Sequence, residues 1–582
     1  MFYYSNNQKG SSLLDVVVGT AILLIVFLGI FGAFKLSVSL VTSNKLKTGG
    51  LALVSERIEY IRSLQYSDIG TVGGIPQGSL EAEEIIVFNN VNYTRRTFVQ
   101  YVDDSADGSG ANDVNSITAD YKTVKVTVSW IFRNSTRSVS LVTNIIPKGI
   151  ESISGGGTLS VSVLNAVSVN VPSANVSIVN TNVNPSIGFS TFTNTSGVAS
   201  FPGAPAGSGY EITITKSGYS SAQTYDVTSS NIDPSPGHLT VGDGQTTTGT
   251  FSIDVLGSLI VRSFEVIKSA SWEDFFADLS QIASSQNTVL SNSAIELQSS
   301  ETGYSSSGSV SSVTLSPSYL SEWTTLSWND VTSADTGVRY SLYYGAGILI
   351  PDSDLSGNQV GFISSPVDIS GLSTSTYSGV YIVGTLTSSN TLSTPSILDW
   401  RLDYKVGPTP IQNIVMSLTG AKTIGADASG NPLYKYSSSI DTGASSQTTI
   451  GSLEWDNYTL AIDDNVVGYD IAQTCALSPF ALSPAENKTV DVLLAENQTN
   501  SLHLAVKDTS GALLEGATAR LYDGGSYDTT QKTSSCGQSF FNDGLLSGTY
   551  SIDVSLVGYQ SKTVSNISVS DDSALIVTLN SL

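Results

Sequence analysis

Lys9-Gly10-Ser11-Ser12-Leu13-Leu14-Asp15 opens onto an uncharged apolar run from Val16 to Phe34, and this stretch decides the architecture of the N-terminal part. The run has about the 20 residues a helix needs to cross a bilayer. Lys9 is the only charged residue in the short polar segment Met1–Lys9, which favours keeping that end in the cytoplasm. Phe34-Lys35-Leu36 is a poor signal-peptidase site, because no small-x-small pattern follows the run. The small residue at a plausible cut is Gly10, on the other side. Asp15 places a carboxylate just inside the apolar segment, where it is costly and points to a functional role.

These residues resemble the type IV pilin and pseudopilin family. The resemblance implies a leader ending at Gly10, removed on the cytoplasmic side by a prepilin peptidase. It implies Ser11 as the new, methylated N-terminus and Asp15 as the acidic residue used in assembly. The family favours Phe at the first mature position and Glu at the fifth, so Ser11 and Asp15 depart from its pattern. The alternative is a plain signal anchor holding a surface protein.

Helical spacing continues through Leu51, Val54, Ile58, Ile61 and Leu64, with Glu56, Arg57, Glu59 and Arg62 on other faces. Gly49-Gly50 interrupts it, at about 1 kcal/mol each relative to Ala. One helix over about 12–65 is the expectation from the pilin resemblance, with the glycine pair as a place to melt or stretch. A loop between two helices is the alternative. Strands are expected at Glu84–Phe88, Tyr93–Val102, Thr123–Phe132 and Ser138–Ile146, where Val124, Val126, Val128 and Trp130 alternate with polar residues. Together they would make a β head at 80–148. Within it, Asp103, Asp104, Asp107, Asp113 and Asn115 lie along a Gly-rich loop. Such hard oxygen donors suit calcium, although the spacing is not that of an EF-hand. An acidic hairpin whose side chains cap turns serves equally.

At 582 residues with a net charge of −24, the chain should divide into about three to five domains. The charge argues against nucleic acid and anionic lipid as partners. Only 13% of residues are charged, while Ser, Thr, Gly, Asn and Val abound, as in extracellular β-domains. Cys475 and Cys536 allow either one disulfide or two buried thiols.

Beyond a Gly-rich linker at 152–157 the chain repeats itself. Tyr210-Glu211-Ile212 leads to Gly218-Tyr219, Tyr458-Thr459-Leu460 to Gly468-Tyr469, and Tyr550-Ser551-Ile552 to Gly558-Tyr559. The last copy also carries Val506-Lys507-Asp508-Thr509-Ser510-Gly511. The pattern is similar to the carboxypeptidase regulatory-like family of prealbumin-type β-sandwiches, most fully over 500–582, less over 158–255 and least over 408–496. The resemblance implies non-catalytic stalk modules of about seven strands. A Lys507–Asn580 isopeptide bond assisted by Asp553 is disfavoured by parity. Leu502, Leu504 and Val506 share one strand face, so Lys507 lies on the other.

Between the copies is a block richer in tryptophan (Trp272, Trp323, Trp328, Trp400) that reads as a larger sandwich or jelly roll. Trp323, Tyr340, Tyr343 and Tyr344 are candidates for a glycan platform, or else core residues. His238 and His503 are the only histidines and lie in different modules, which disfavours a histidine-based zinc site or a Ser-His-Asp triad.

The fold class expected is an α+β pilin-like N-terminal module, a long helix on an antiparallel sheet, followed by several all-β sandwiches. The expected division is a leader at 1–10, the pilin-like domain at 11–150, and sandwiches at 158–256, 259–406, 408–496 and 497–582. The function expected is that of a non-enzymatic structural subunit. It begins single-pass in the cytoplasmic membrane and ends on the cell surface in a filament. Its partners would be other pilin or pseudopilin subunits, the prepilin peptidase, the assembly machinery, and a surface glycan or protein. A membrane-anchored adhesin that never polymerises is the competing expectation.

Overall fold

The computed structural model describes residues 13–102, 104, 119–147 and 156–582, without the side chains of 13–16 and 19. The described chain forms two compact units, one of Met1–Leu256 with Thr423–Tyr434, the other of Gly257–Lys422 with Lys435–Leu582.

The first unit opens with helix α1, Leu13–Ser63, of 51 residues, or about 76 Å at 1.5 Å per residue. Its C-terminal part buries Leu53, Val54, Ile58 and Ile61. They pack on an antiparallel meander of β1 (Glu83–Phe88), β2 (Val91–Val102), β3 (Tyr121–Phe132) and β4 (Ser135–Ile145), in that spatial order. On β3, Val124, Val126, Val128 and Trp130 all face the helix, as the period-two alternation requires.

Gly49 and Gly50 do not break the helix. Both are helical and buried, and a Cβ on either would clash. At Gly49 it would lie 2.7 Å from the Tyr93 hydroxyl oxygen, and at Gly50 2.7 Å from Trp130 Cζ3. The expectation of a melting point is replaced by a close approach of sheet to helix that only a missing side chain permits.

The rest of this unit is a sandwich. One sheet holds β5 (Gly156–Leu164) between β8 (Val198–Pro205), antiparallel, and β12 (Thr246–Ser252), parallel. The other runs β7 (Ile187–Phe192), β6 (Asn175–Asn180), β9 (Gly207–Thr215) and β10 (Ala222–Gln223), with β11 (Leu239–Val241) also on β9. The head and the sandwich share packing. Ile75 of the head enters the sandwich core, and the Gly188 amide donates to the Gly73 carbonyl at 2.8 Å.

The second unit repeats that topology twice. Ser501–Asp508 pairs in parallel with Asp572–Leu579 and antiparallel with Gln538–Phe541. The facing sheet runs Asp528–Lys532, Thr518–Tyr522, Gly548–Ser555, Lys562–Val569. In the other copy the equivalent first strand is β13, Gly257–Glu265, parallel to Asn487–Glu496 and antiparallel to Gln447–Leu453. The expected boundary at 259 therefore moves. Leu259 and Val261 belong to the core of Met416, Leu418, Tyr458 and Leu460, and the larger sandwich is inserted after β13. That insert packs a sheet containing Lys268–Asp274, Leu320–Val331 and Ser396–Val406 against one containing Ser307–Ser312, Thr336–Tyr344 and Val380–Ser388.

The repeated tyrosines have one job in all three copies. The Tyr210, Tyr458 and Tyr550 hydroxyls donate to the carbonyls of Pro205, Glu454 and Leu546 at 2.5, 2.8 and 2.8 Å, satisfying the buried polar tip of each ring. Each following glycine turns with positive φ, +78° at Gly218, +78° at Gly468 and +88° at Gly558.

Candidate functional site

The N-terminal half of α1 is the feature most in need of a partner. Ile25, Phe27, Phe31 and Phe34 are 68, 64, 66 and 67% exposed, and they sit in a continuous apolar stretch that is long and apolar enough to cross a membrane. A patch of this size left in water is far beyond what soluble monomers carry. The C-terminal half is clamped to the sheet by directed contacts. The Tyr93 hydroxyl donates to the Leu46 carbonyl at 3.0 Å, and its ring lies 5.7 Å from that of Trp130. Arg57 pairs with Glu84 at 3.2 Å, and Arg95 pairs with the same carboxylate at 3.1 Å. Burial lowers the Arg57 pKa, with the Glu84 charge opposing it. Arg62 donates to Thr143 at 2.9 Å. Lys122 shares the inward parity of β3 and is buried, its ammonium donating to the Tyr66 carbonyl at 2.9 Å. One helix is thus rigidly held at one end and bare at the other.

Gly10 and Ser11 lie outside the described residues, as do Asp103, Asp107, Asp113 and Asn115 of the acidic loop. Asp15 is within α1, its side chain outside the described set. Asp104 is described, and its amide donates to an Asp120 carboxylate oxygen at 2.6 Å.

The proposed glycan platform is corrected. Trp323 and Tyr340 are wholly buried. The Trp323 indole donates to the Tyr377 carbonyl at 2.8 Å, and the Tyr340 ring stacks on Trp328 at 4.1 Å. No sugar can reach them. Their strands alternate, so Tyr340 and Leu342 face the core together while Tyr343 faces away and stacks on Tyr381 at 5.7 Å. Tyr344 is half-buried, its ring 4.9 Å from that of Tyr377.

The two cysteines form a disulfide, Cys475–Cys536, which joins the last two sandwiches. Beside it the Gln538 side chain acts like a length of backbone. Its carbonyl accepts from the Thr474 amide at 2.8 Å, and its amide donates to the Thr474 carbonyl. His503 Nε2 lies 3.0 Å from the same Gln538 oxygen. Burial lowers the His503 pKa. Sequence reading missed this joint, because its residues are scattered and no motif carries them.

No family model matches this chain. No curated protein matches it either. Among solved structures it is similar to the Bacillus anthracis TIE protein at 12% identity, over 79% of this chain and 59% of that one, with a TM-score of 0.15. It is also similar to BcpA, the major pilin subunit of Bacillus cereus, at 10% identity, over 73% and 99% of the two chains, with a TM-score of 0.13. GBS52, the minor pilin of Streptococcus agalactiae, matches at 16% identity over 30% and 87%, again with a TM-score of 0.13. The chain spans 59% of the length of the TIE protein.

Proposed function

We propose that this chain is a non-enzymatic structural subunit of a type IV pilus-like filament, a minor pilin or pseudopilin. The observation that supports the reading is the single continuous helix, apolar and bare at one end and locked onto a four-stranded antiparallel sheet at the other. A helix built this way suits two successive environments. Before assembly its apolar half spans the cytoplasmic membrane, N-terminus inside. After cleavage behind Gly10 by a prepilin peptidase, the same surface packs against the helices of other subunits. Asp15 then has the Ser11 amine of a neighbouring subunit as an electrostatic partner. The β-sandwiches are left available to a surface glycan or protein. Their bulk fits a tip or low-copy position better than every position of a thin fibre.

The test is N-terminal sequencing of the mature protein from cells expressing a prepilin peptidase, together with shearing of surface fibres. The reading expects Ser11 as the first residue, loss of processing in Gly10→Val, and recovery of the chain in the sheared fraction. An intact Met1 with no fibre association would make the chain a membrane-anchored adhesin.

A further inference from the structure

Asp464, Asp470 and Asp572 each offer a carboxylate oxygen within 4.8 Å of the others. Asp464 and Asp470 come from the sandwich that begins with β13, Asp572 from the last one, so the cluster lies across the same joint as the disulfide. A group of acidic side chains at a surface would mean little. Asp470 is different, because it is 1% exposed and its Oδ1 is buried without a hydrogen-bond donor among the described residues. Its other oxygen accepts a long 3.3 Å contact from the Gln498 amide. Asp572 accepts from the Ser501 hydroxyl at 2.6 Å, and Asp464 from the Asn497 side-chain amide at 3.3 Å. Among the described residues no lysine or arginine forms an ion pair with any of the three.

A buried carboxylate with an unmet oxygen, facing two more carboxylates, is a poor arrangement unless a cation completes it. The donors are all hard oxygens. Oxygens within 4.8 Å of each other can share one ion, since about 2.4 Å separates calcium from each of its ligands. We propose that Asp464, Asp470 and Asp572 bind a calcium ion that locks the last two sandwiches together. A joint held by an ion and a disulfide would keep the C-terminal modules aligned under tension.

The full chain in detergent, stripped with EGTA, is titrated with CaCl2 by calorimetry, alongside Asp470→Asn, Asp572→Asn and the loop variant Asp107→Asn. The proposal expects saturable uptake that both joint variants weaken by about tenfold or more, as charge removal from an oxygen site does, while Asp107→Asn keeps it. It also expects CaCl2 to raise the melting temperature of the wild type and not of Asp470→Asn. Asp572 is exposed, so its variant decides the matter if Asp470→Asn fails to fold. Uptake that survives the joint variants, or no uptake by the wild type, overturns the site.

Discussion

The Tyr93 hydroxyl reaches across from the sheet to donate to the Leu46 carbonyl at 3.0 Å, and it can do so only because residue 49 has no side chain. A Cβ there would stand 2.7 Å from that hydroxyl oxygen. One turn of the helix is therefore reserved for the sheet, and the two glycines are contact residues rather than hinges.

Gly50→Ala tests this directly. In an open helix the change should stabilise by about 1 kcal/mol. Here the new methyl meets Trp130 Cζ3 at 2.7 Å, and overpacking costs about 1–3 kcal/mol. The expected outcome is net destabilisation of the head, read as lost hydrogen-exchange protection over residues 46–61 of the full chain. Increased protection would restore the glycines to the role of flexible points.

Reducing the Cys475–Cys536 bond should uncouple the last sandwich. The loop it closes spans 61 residues, for which the chain-entropy argument gives about 4 kcal/mol. Cys475→Ser should lower the calorimetric transition of the last sandwich and leave the others in place. An unchanged transition would show that the remaining contacts across the joint hold it without the bond.

His503 adds a pH dependence of known sign. Burial lowers its folded pKa below the unfolded value of about 6.5, so the unfolded chain binds the proton more readily. The stability due to its neutral form is complete above about pH 6.5 and is lost as pH falls from there towards the folded pKa. Burial also raises the Asp470 carboxyl, to about 6, so the measurement is a difference. Wild type minus His503→Met should show stability falling below pH 6.5, and a flat difference would contradict the burial argument.

Trp323→Ala should act on folding alone. The ring is completely buried and its indole is bonded to Tyr377, so truncation leaves a large cavity and an unmet carbonyl, at about 3–5 kcal/mol. Thermal melting should show the large sandwich unfolding first. A variant of normal stability that loses binding on a glycan array would reinstate the platform.

The helix and the head strands were legible because their signals are local. The apolar run and the Val124–Trp130 alternation need only neighbours a turn or two residues away. The repeated Tyr and Gly-Tyr elements likewise announced three sandwiches, since each ring and its carbonyl partner lie within five residues of each other. The nesting was not legible. β13 pairs with a strand beginning at Asn487, and Arg262 meets Asp491 at 2.6 Å across that pairing, a contact no window along the chain contains.

The residues alone determined that the chain has a membrane-length apolar rod, a half-buried sheet and a series of β-modules, because periodicity and hydrophobic transfer act at short range. Only the tertiary structure decided that Gly49 and Gly50 are packed rather than free, that Trp323 is core, that one sandwich is inserted in another, and that Cys475, Asp470 and Asp572 meet at one joint. Those depend on which distant strands share hydrogen bonds, and strand pairing is a property of the folded chain as a whole.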